Sequence, residues 1–348
     1  MSSTRRIIRF NVKFVTPLLI NGANGRDENG LSGKALRGCW RFWFRALIGG
    51  VAKDISRDDL TTLESKIFGS DKLEIGSKFR LIAEERDNIS RGSFYLGFKR
   101  YNERKKRLMK VSKDGFAEGA SYSITIIPRT TEFEHEKDIL LVAIWLWGNL
   151  GAVGNRSRRG FGSPSIYLED GAENPFTFEL NGEEITLPIE EQPFSSSGVL
   201  ENHLQKGLRS AWEVYKQWIN DNSGSTVSGD MSALSESTDA SYFILQSIEQ
   251  VVVGDLGYSN RDNAIIAVHG IQNCDGLGWA DKRGRMASPV FIRFHKVGED
   301  GRDEFVPIFT WCKQQNADDA DNCAENYLKG RKIGRTNMFT HTLKGGPL

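Results

Sequence analysis

The segment Leu31-Ser-Gly-Lys-Ala-Leu-Arg-Gly-Cys-Trp-Arg-Phe-Trp-Phe-Arg-Ala-Leu47 has the spacing of an amphipathic helix. Its large apolar residues recur every three or four positions and therefore share one helical face. They are Leu36, Trp40, Phe44 and Leu47. Ser32 is a suitable N-cap, and the glycines at 49–50 are a suitable stop. The segment predicts a helix that packs on a sheet.

Short alternating segments on both sides of this helix predict the sheet. Apolar and polar residues alternate from Ile8 to Phe14, which is typical of a half-buried strand. Similar strands are predicted around 79–83, 94–98, 122–126 and 165–168, with helices over 58–68 and 138–153. This order is β-α-β-β-(β)-α-β, the ferredoxin-like arrangement with an insertion: an α+β fold in which two helices cover an antiparallel sheet.

The second half of the chain has a different character. Residues 165–200 contain eight acidic and no basic side chains, and an amphipathic helix is predicted over 204–219. Residues 221–240 are rich in Ser and Gly and predict a solvated insertion. A strand over 242–253 and a hairpin over 290–311 follow. We therefore divide the chain into an N-terminal domain, 1–190, and a C-terminal domain, 191–348, which includes the 221–240 insertion.

Composition excludes several classes of protein. The chain has 348 residues, of which 39% are hydrophobic and 26% are charged, so it is not compositionally disordered. Met1 to Phe10 lacks the apolar core of a signal peptide, and the longest apolar run, Ile139 to Trp147, is too short for a membrane span. The four cysteines form no C-x-x-C pair. We expect a soluble, cytoplasmic protein without a metal, a cofactor or a disulfide framework.

Charge is divided unevenly along the chain. The total is nearly balanced, with 46 basic and 45 acidic side chains. Residues 1–164 nevertheless hold 30 basic and 18 acidic residues, whereas residues 165–348 hold 16 and 27. This division favours a half that binds a polyanion beside a half that faces something else.

Basic residues of the first predicted helix form the strongest local signal. Three arginines lie at i, i+4 and i+8, and no acid lies between Gly30 and Gly50. A row of guanidiniums without partners on the helix fits the phosphates of a nucleic acid, and Trp43 beside it offers a ring for base stacking. Acids elsewhere in the fold could instead pair with the row, and Trp43 could be core. The basic candidates are Lys34, Arg37, Arg41 and Arg45.

A glycine-rich loop, Gly154-Asn-Arg-Ser-Arg-Arg-Gly-Phe-Gly-Ser-Pro164, is the second signal. Glycines permit a close approach of backbone to a ligand, and three arginines among them predict a phosphate cradle. A plain connecting loop is the alternative. The candidates here are Arg156, Arg158, Arg159 and Phe161.

Two further basic stretches leave their role open. Residues 91–113 carry nine basic side chains and one acid, Glu103, with aromatic residues interleaved. Such a run either touches a polyanion or only solubilises a loop or hairpin tip. Arg283 and Arg285 precede a strand in the acidic half, where they either extend an RNA track or pair with local acids.

No catalytic constellation is recognisable. The five histidines are scattered, and no nucleophile or partner stands at a useful spacing from any of them. The chain has no P-loop, no H-E-x-x-H and no G-x-S-x-G motif. An endoribonuclease that uses His135 or His269 without a metal remains the enzymatic alternative.

Three short blocks carry a resemblance to a known family. Ser32 to Leu47 and Arg156 to Gly162 resemble the first-helix motif and the glycine-rich loop of the RAMP proteins of CRISPR systems. Together with Arg285-Met-Ala-Ser-Pro289, they are similar to the family of first subunits of the Cmr complex, the type III-B RNA-targeting effector.

The resemblance implies tandem ferredoxin-like (RRM-like, βαββαβ) domains and a non-catalytic RNA-binding subunit in antiviral defence. Such a subunit contacts CRISPR RNA near its 3′ end, target RNA, or both, and assembles with the other effector subunits away from any membrane. The family's basic positions correspond to Lys34, the first-helix arginines and the arginines of the 156–159 loop. Within the same superfamily, the alternative is a metal-independent endoribonuclease that processes CRISPR repeat RNA.

Overall fold

A computed structural model of the chain describes residues 6–20, 30–51, 57–86, 89–223, 246–254, 257–269, 279–281, 284–286, 288–299, 302–314, 322–323 and 339–341. The helices in these ranges are α1 (Gly33–Val51), α2 (Arg57–Phe68), α3 (Phe133–Leu150), α4 (Ser197–Ser223) and α5 (Arg261–His269). The strands of the first half are β1 (Ile8–Phe14), β2 (Phe79–Glu85), β3 (Arg91–Asn102), β4 (Arg107–Phe116), β5 (Ser121–Pro128), β6 (Pro164–Tyr167), β7 (Thr177–Leu180) and β8 (Glu183–Thr186). The later strands are β9 (Gln246–Val253), β10 (Trp279–Asp281), β11 (Gly284–Met286), β12 (Val290–Glu299), β13 (Arg302–Gln314) and β14 (Phe339–His341).

The first four-stranded sheet has the order β2-β5-β1-β6, and every neighbouring pair is antiparallel. The alternation in β1 places Phe10, Val12 and Phe14 in the core, as the sequence predicts. Helix α1 also begins as predicted, because the backbone N–H of Ala35 donates to Ser32 Oγ at 3.2 Å. The predicted elements β1, α1, α2, β2, β3, β5, α3 and β6 are observed in the predicted order, with one further strand, β4, between β3 and β5.

A second four-stranded sheet has the order β12-β13-β9-β14, again with antiparallel neighbours. Its first strand, β9, is followed by α5 and pairs with both β13 and β14. The predicted hairpin is confirmed, since β12 and β13 pair from Val290↔Trp311 to Glu299↔Arg302. The molecule is therefore a mixed α/β protein with antiparallel sheets.

One hydrophobic core joins the two sheets. The long apolar run of α3 is almost entirely buried, and this helix packs against α1, α4 and β6. Helix α1 in turn packs against β9 of the second sheet. A continuous cluster of buried side chains consequently extends from Ile8 to Cys312.

The structure contains features that the sequence analysis did not anticipate. Residues 99–113, predicted as a solvated loop or hairpin tip, contain the end of β3, a turn and most of β4. A further hairpin, β7–β8, turns at Asn181 and Gly182, both of which have positive φ. Cys323 is disulfide-bonded, whereas Cys39 and Cys312 are free thiols. Most of the predicted 221–240 insertion, residues 224–240, lies outside the described residues.

No helix in the part of the chain that the structure describes combines the length and the apolar character needed to cross a membrane.

Candidate nucleic-acid interface

Two of the α1 arginines have a carboxylate partner. Arg41 Nε lies 2.8 Å from Glu64 Oε1, and Arg45 Nη1 lies 2.8 Å from Glu64 Oε2. Glu64 comes from α2 and is only 5% exposed. Arg41 also donates to the carbonyl of Gly69 at 2.5 Å. The expectation of an uncompensated row is therefore corrected: the acid is absent from α1 itself but reaches it from the next helix.

The remaining basic residues of α1 differ in exposure. Arg37 is half-buried, with its guanidinium 5.2 Å from the centroid of the Phe79 ring. Burial lowers the pKa of Arg37, and the neighbouring charges of Arg41 and Arg129 lower it further. Lys34 is exposed in the first turn, where the positive end of the helix dipole does not favour a cation. Of the four, Lys34 is the residue most open to an anion.

Trp43 is a core residue. It is 1% exposed, and its ring lies 5.4 Å from the rings of both Phe42 and Phe291, the latter on β12. Neither face of the indole is open to a base. The prediction that Trp43 stacks on RNA is incompatible with this burial, and we assign it to packing between α1 and the second sheet.

The backbone of the glycine-rich loop packs against protein. Gly160 N–H donates to the carbonyl of Ile292 at 2.8 Å, and Gly162 N–H donates to the carbonyl of Pro17 at 2.9 Å. Both glycines have positive φ, and a Cβ on Gly160 would overlap the Phe294 ring. Gly160 is thus explained by the close approach of the loop to the second sheet, and Gly162 by its close approach to the backbone of Val153 and Pro17. Both contacts correct the expectation of a backbone cradle for phosphate at these two positions.

Arg158 and Phe161 point into the protein. The Arg158 guanidinium lies 4.2 Å from the Phe291 ring and donates to the carbonyl of Ser288. Burial lowers the pKa of Arg158 to about 10. Phe161 is fully buried in a second hydrophobic cluster, together with residues of α5 and β12. Both side chains join the loop to the second sheet, so the predicted RNA contact by Phe161 has no open surface.

Arg156 and Arg159 are partly exposed, although one guanidinium nitrogen of Arg159, Nη1, is buried. Arg156 adopts φ +62° at the turn of the loop. Its guanidinium lies 4.5 Å from the ring of Phe98 on β3. Burial lowers the pKa of Arg159. The loop thus presents Arg156 beside Phe98, next to the outer part of the β3–β4 ribbon.

Two predicted RNA-binding residues cannot be placed in this interface. Arg283 lies outside the described residues. Arg285 lies on β11 opposite Ala280, and its side chain is not among those described.

The β3–β4 ribbon carries the densest run of exposed basic side chains in the described ranges. It spans residues 91–116, and its outer part, 99–110, carries seven basic side chains and one acid. All seven are exposed: Lys99, Arg100, Arg104, Lys105, Lys106, Arg107 and Lys110. The sequence signal for this surface was the charge run itself, but only the strand pairing shows which side chains share a face.

The described histidine side chains do not form an open catalytic group. His203 and His295 are buried, and His203 Nε2 donates to Asn149 Oδ1 at 3.0 Å. The cavity beside His203 holds about 10 Å³, which is room for one water. His135 is exposed at the start of α3. No three His, Cys, Asp or Glu side chains converge as a metal site within the described part of the chain.

Comparison with known proteins finds similarity to one superfamily and to two of its CRISPR relatives. The family model of the RAMP superfamily matches residues 11–165. The CRISPR system Cmr subunit Cmr1-2 of Pyrococcus furiosus is 27% identical over 185 residues, an alignment that covers 46% of this chain and 94% of that protein. Subunit Cmr1-1 of the same organism is 26% identical over 171 residues, which covers 46% of this chain but only 47% of that protein.

A solved structure shares the fold over most of the chain. A chain in the cryo-EM structure of the type III-B Cmr-beta complex, bound to cognate target RNA and AMPPnP in the presence of ssDNA, aligns with a TM-score of 0.56 at 12% identity. The alignment covers 94% of this chain and 100% of that one. Residues 11–165 thus match the model of the RAMP superfamily, and part of the chain is similar to the Cmr1 subunits of a CRISPR system.

Proposed function

We propose that this chain is a subunit of a CRISPR type III-B effector complex that binds single-stranded RNA without cleaving it. The RNA is CRISPR RNA near its 3′ end, target RNA, or both, and the chain acts in assembly with the other effector subunits. The similarity to Cmr1 subunits supports the assignment to the complex, and the structurally similar chain belongs to a type III-B complex that is bound to cognate target RNA.

The observation that carries RNA binding is the outer part of the ribbon. Seven exposed cations lie within twelve residues that contain one acid, and Arg156 continues this surface toward the glycine-rich loop. A dense, solvated group of cations with interleaved aromatic residues suits a flexible polyanion whose bases are accessible. Affinity then comes mainly from phosphates, with little sequence readout.

The two-domain architecture is part of this proposal. The strand orders β2-β5-β1-β6 and β12-β13-β9-β14 follow one pattern, in which the first strand of each sheet pairs with the third and the fourth (β10, β11 and the β3–β4 and β7–β8 hairpins are left out of this count). We infer tandem ferredoxin-like units, divided near residue 190.

The absence of cleavage is also part of the proposal. His203 and His295 hydrogen-bond within the core, which leaves His135 as the one described histidine side chain that RNA could reach. General acid–base cleavage requires a group positioned on each side of the scissile phosphate. The competing function, a metal-independent endoribonuclease, thus has less support.

The test is RNA binding by the purified full-length chain. We expect labelled single-stranded RNA to bind with an affinity that falls steeply as salt rises, and to remain intact in EDTA. Lys34→Gln combined with Arg156→Gln should flatten the plot of log affinity against log salt by about 1.4, or about 0.7 for each lost phosphate contact. Failure to bind RNA at low salt would contradict the proposal. Cleavage that is lost on His135→Ala, or on His269→Ala, whose side chain lies outside those described, would contradict its non-catalytic part.

A further inference from the structure

We propose that one face of the outer β3–β4 ribbon is a single-strand RNA clamp, in which Lys99 and Lys110 hold backbone phosphate and Tyr101 stacks on a base. This inference rests on the proposed function and assigns it to a particular surface. The residues involved lie outside the first-helix and glycine-rich motifs.

Strand pairing brings these side chains together. Lys99 is directly opposite Lys110, and Tyr101 is directly opposite Leu108. Residues two apart on a strand point to the same face, so all four share one side of the ribbon. The next row toward the base on this side contains Tyr95, whose ring centroid lies 5.1 Å from Lys110 Nζ. The face therefore presents two tyrosines with a pair of lysines between them.

The lysine pair is unfavourable in the free protein. Directly opposed side chains in an antiparallel pair have Cβ atoms about 5 Å apart, and like charges there destabilise the ribbon. Both lysines are exposed, and the acid on the outer ribbon, Glu103, lies in the turn beyond Asn102. A phosphate between the two ammonium groups would turn this repulsion into attraction.

The apolar part of the face is equally unfavourable in water. Tyr101 is 57% exposed and Leu108 is 63% exposed, which makes them the two most exposed large apolar side chains among the described residues. They lie side by side rather than scattered. An aromatic ring next to paired cations fits a nucleotide strand, because each nucleotide offers one base face and one negative charge.

The ribbon is built to hold this face in place. Its inner half is anchored, because Phe94, Leu96 and Phe98 pack on the second hydrophobic cluster. At its base, Leu18 and Phe116 exchange two backbone hydrogen bonds. At the tip, Asn102 Oδ1 accepts from the N–H of Lys105 at 2.9 Å, which orders the turn. Less conformational entropy is therefore lost when RNA binds than an unstructured loop would lose.

The experiment compares the two faces of the same ribbon in the full-length chain. Lys99→Gln combined with Lys110→Gln should flatten the salt dependence of RNA binding by about 1.4. Arg100→Gln combined with Arg107→Gln removes the same charge from the opposite face and should flatten the salt dependence by less than half as much. Tyr101→Ala should weaken binding about 10-fold, whereas Tyr101→Phe should retain it, because stacking needs the ring and not the hydroxyl.

Each outcome separates the clamp from the wider proposal. A wild-type chain that binds no RNA would overturn the proposed function and the clamp together. Wild-type RNA binding by the Lys99/Lys110 variant, or equal losses from both faces, would overturn the clamp and leave the function standing. If that variant binds RNA normally but no longer associates with the other subunits, the face is a protein interface and the clamp is likewise overturned. Circular dichroism spectra identical to wild type would establish that these exposed substitutions leave the fold intact.

Discussion

At the residue scale, Glu64 determines the electrostatics of α1. One buried carboxylate lies 2.8 Å from both Arg41 and Arg45, so a group in another helix balances one of their two positive charges. The two arginines keep roughly a third and a quarter of their side-chain surface exposed, respectively. If Arg41 and Arg45 contact RNA, they therefore do so while they are paired with Glu64.

Replacement of Glu64 tests this assignment. Glu64→Gln leaves two like charges close together and should lower the free energy of unfolding by about 1–3 kcal/mol, less than for a fully buried pair because both arginines are partly solvated. Chemical denaturation measures the change. Glu183→Gln, on an exposed strand, is the matched control and should change stability by less than about 0.5 kcal/mol. Equal stability of the two variants would contradict the role of Glu64.

The same residues show what the sequence could and could not predict about the site. The local spacing correctly predicted the α1 helix and its Ser32 cap. It could not reveal Glu64, since a salt bridge across 19 to 23 residues depends on how α2 folds back. The spacing also could not show whether Trp43 is buried or exposed. The second sheet, which buries it, is more than 200 residues away in the sequence.

At the scale of elements, local periodicity was sufficient for most of the fold. Alternation identified β1, β2 and β5, and apolar content identified α3. The β7–β8 hairpin was missed, although Asn181-Gly182 is a recognised two-residue hairpin signal. The charge run of residues 99–113 predicts a solvated loop or hairpin tip. In the structure, pairing between β3 and β4 outweighs the low β-propensity of these charged residues and extends both strands through most of the run.

Two helical glycines allow packing to be tested element by element. Gly38 on α1 is exposed, with no atom within 4 Å of an added Cβ, so Gly38→Ala should stabilise the protein by about 0.5–1 kcal/mol through helix propensity. Gly148 on α3 faces Ile166, whose side chain an added Cβ would overlap. Gly148→Ala should instead destabilise by about 1–3 kcal/mol. Thermal unfolding distinguishes the two, and a stabilised Gly148→Ala variant would contradict the packing of α3 on β6.

At the scale of the whole molecule, a buried polar network joins the halves. Arg293 on β12 is fully buried and donates to the carbonyl of Pro164 at 2.9 Å and to that of Gly148, near the end of α3. His295 Nε2 donates to the Asn149 carbonyl at 3.0 Å, and its Nδ1 accepts from Gln192. These contacts cross from the second sheet to α3 and so tie the two halves of the molecule together.

This network predicts acid sensitivity. Burial, and then the charge of Arg293, lower the pKa of His203 to about 4 and also lower that of His295. Glu190, 4.0 Å from His203 Nδ1 and partly exposed, opposes the shift. Folded His203 is thus neutral where the unfolded chain, with a histidine pKa near 6.5, binds a proton. The free energy of unfolding should fall as pH falls from about 6.5 to 4, by up to about 1.4 kcal/mol per unit for His203.

Denaturation curves at several pH values check this expectation. His203→Gln keeps a donor for Asn149 but cannot titrate, so its stability should depend less on pH in that window. His135→Gln, which removes an exposed histidine, should follow the wild-type curve. A His203→Gln variant with the wild-type pH dependence would contradict the role of the network.

The irregularity in the β3–β4 ribbon limits how the ribbon can change in length. Pairing stops at Tyr95↔Ser112 and resumes at Lys99↔Lys110, so three residues of β3 face Val111 alone, and Gly97 there adopts φ +84°. This joint separates the anchored half from the outer half. Two residues added to each strand beyond the joint would lengthen the reach and preserve which side chains face the ligand. A single residue added to each strand would exchange the two faces. The length of the ribbon can therefore change only in steps of two residues per strand.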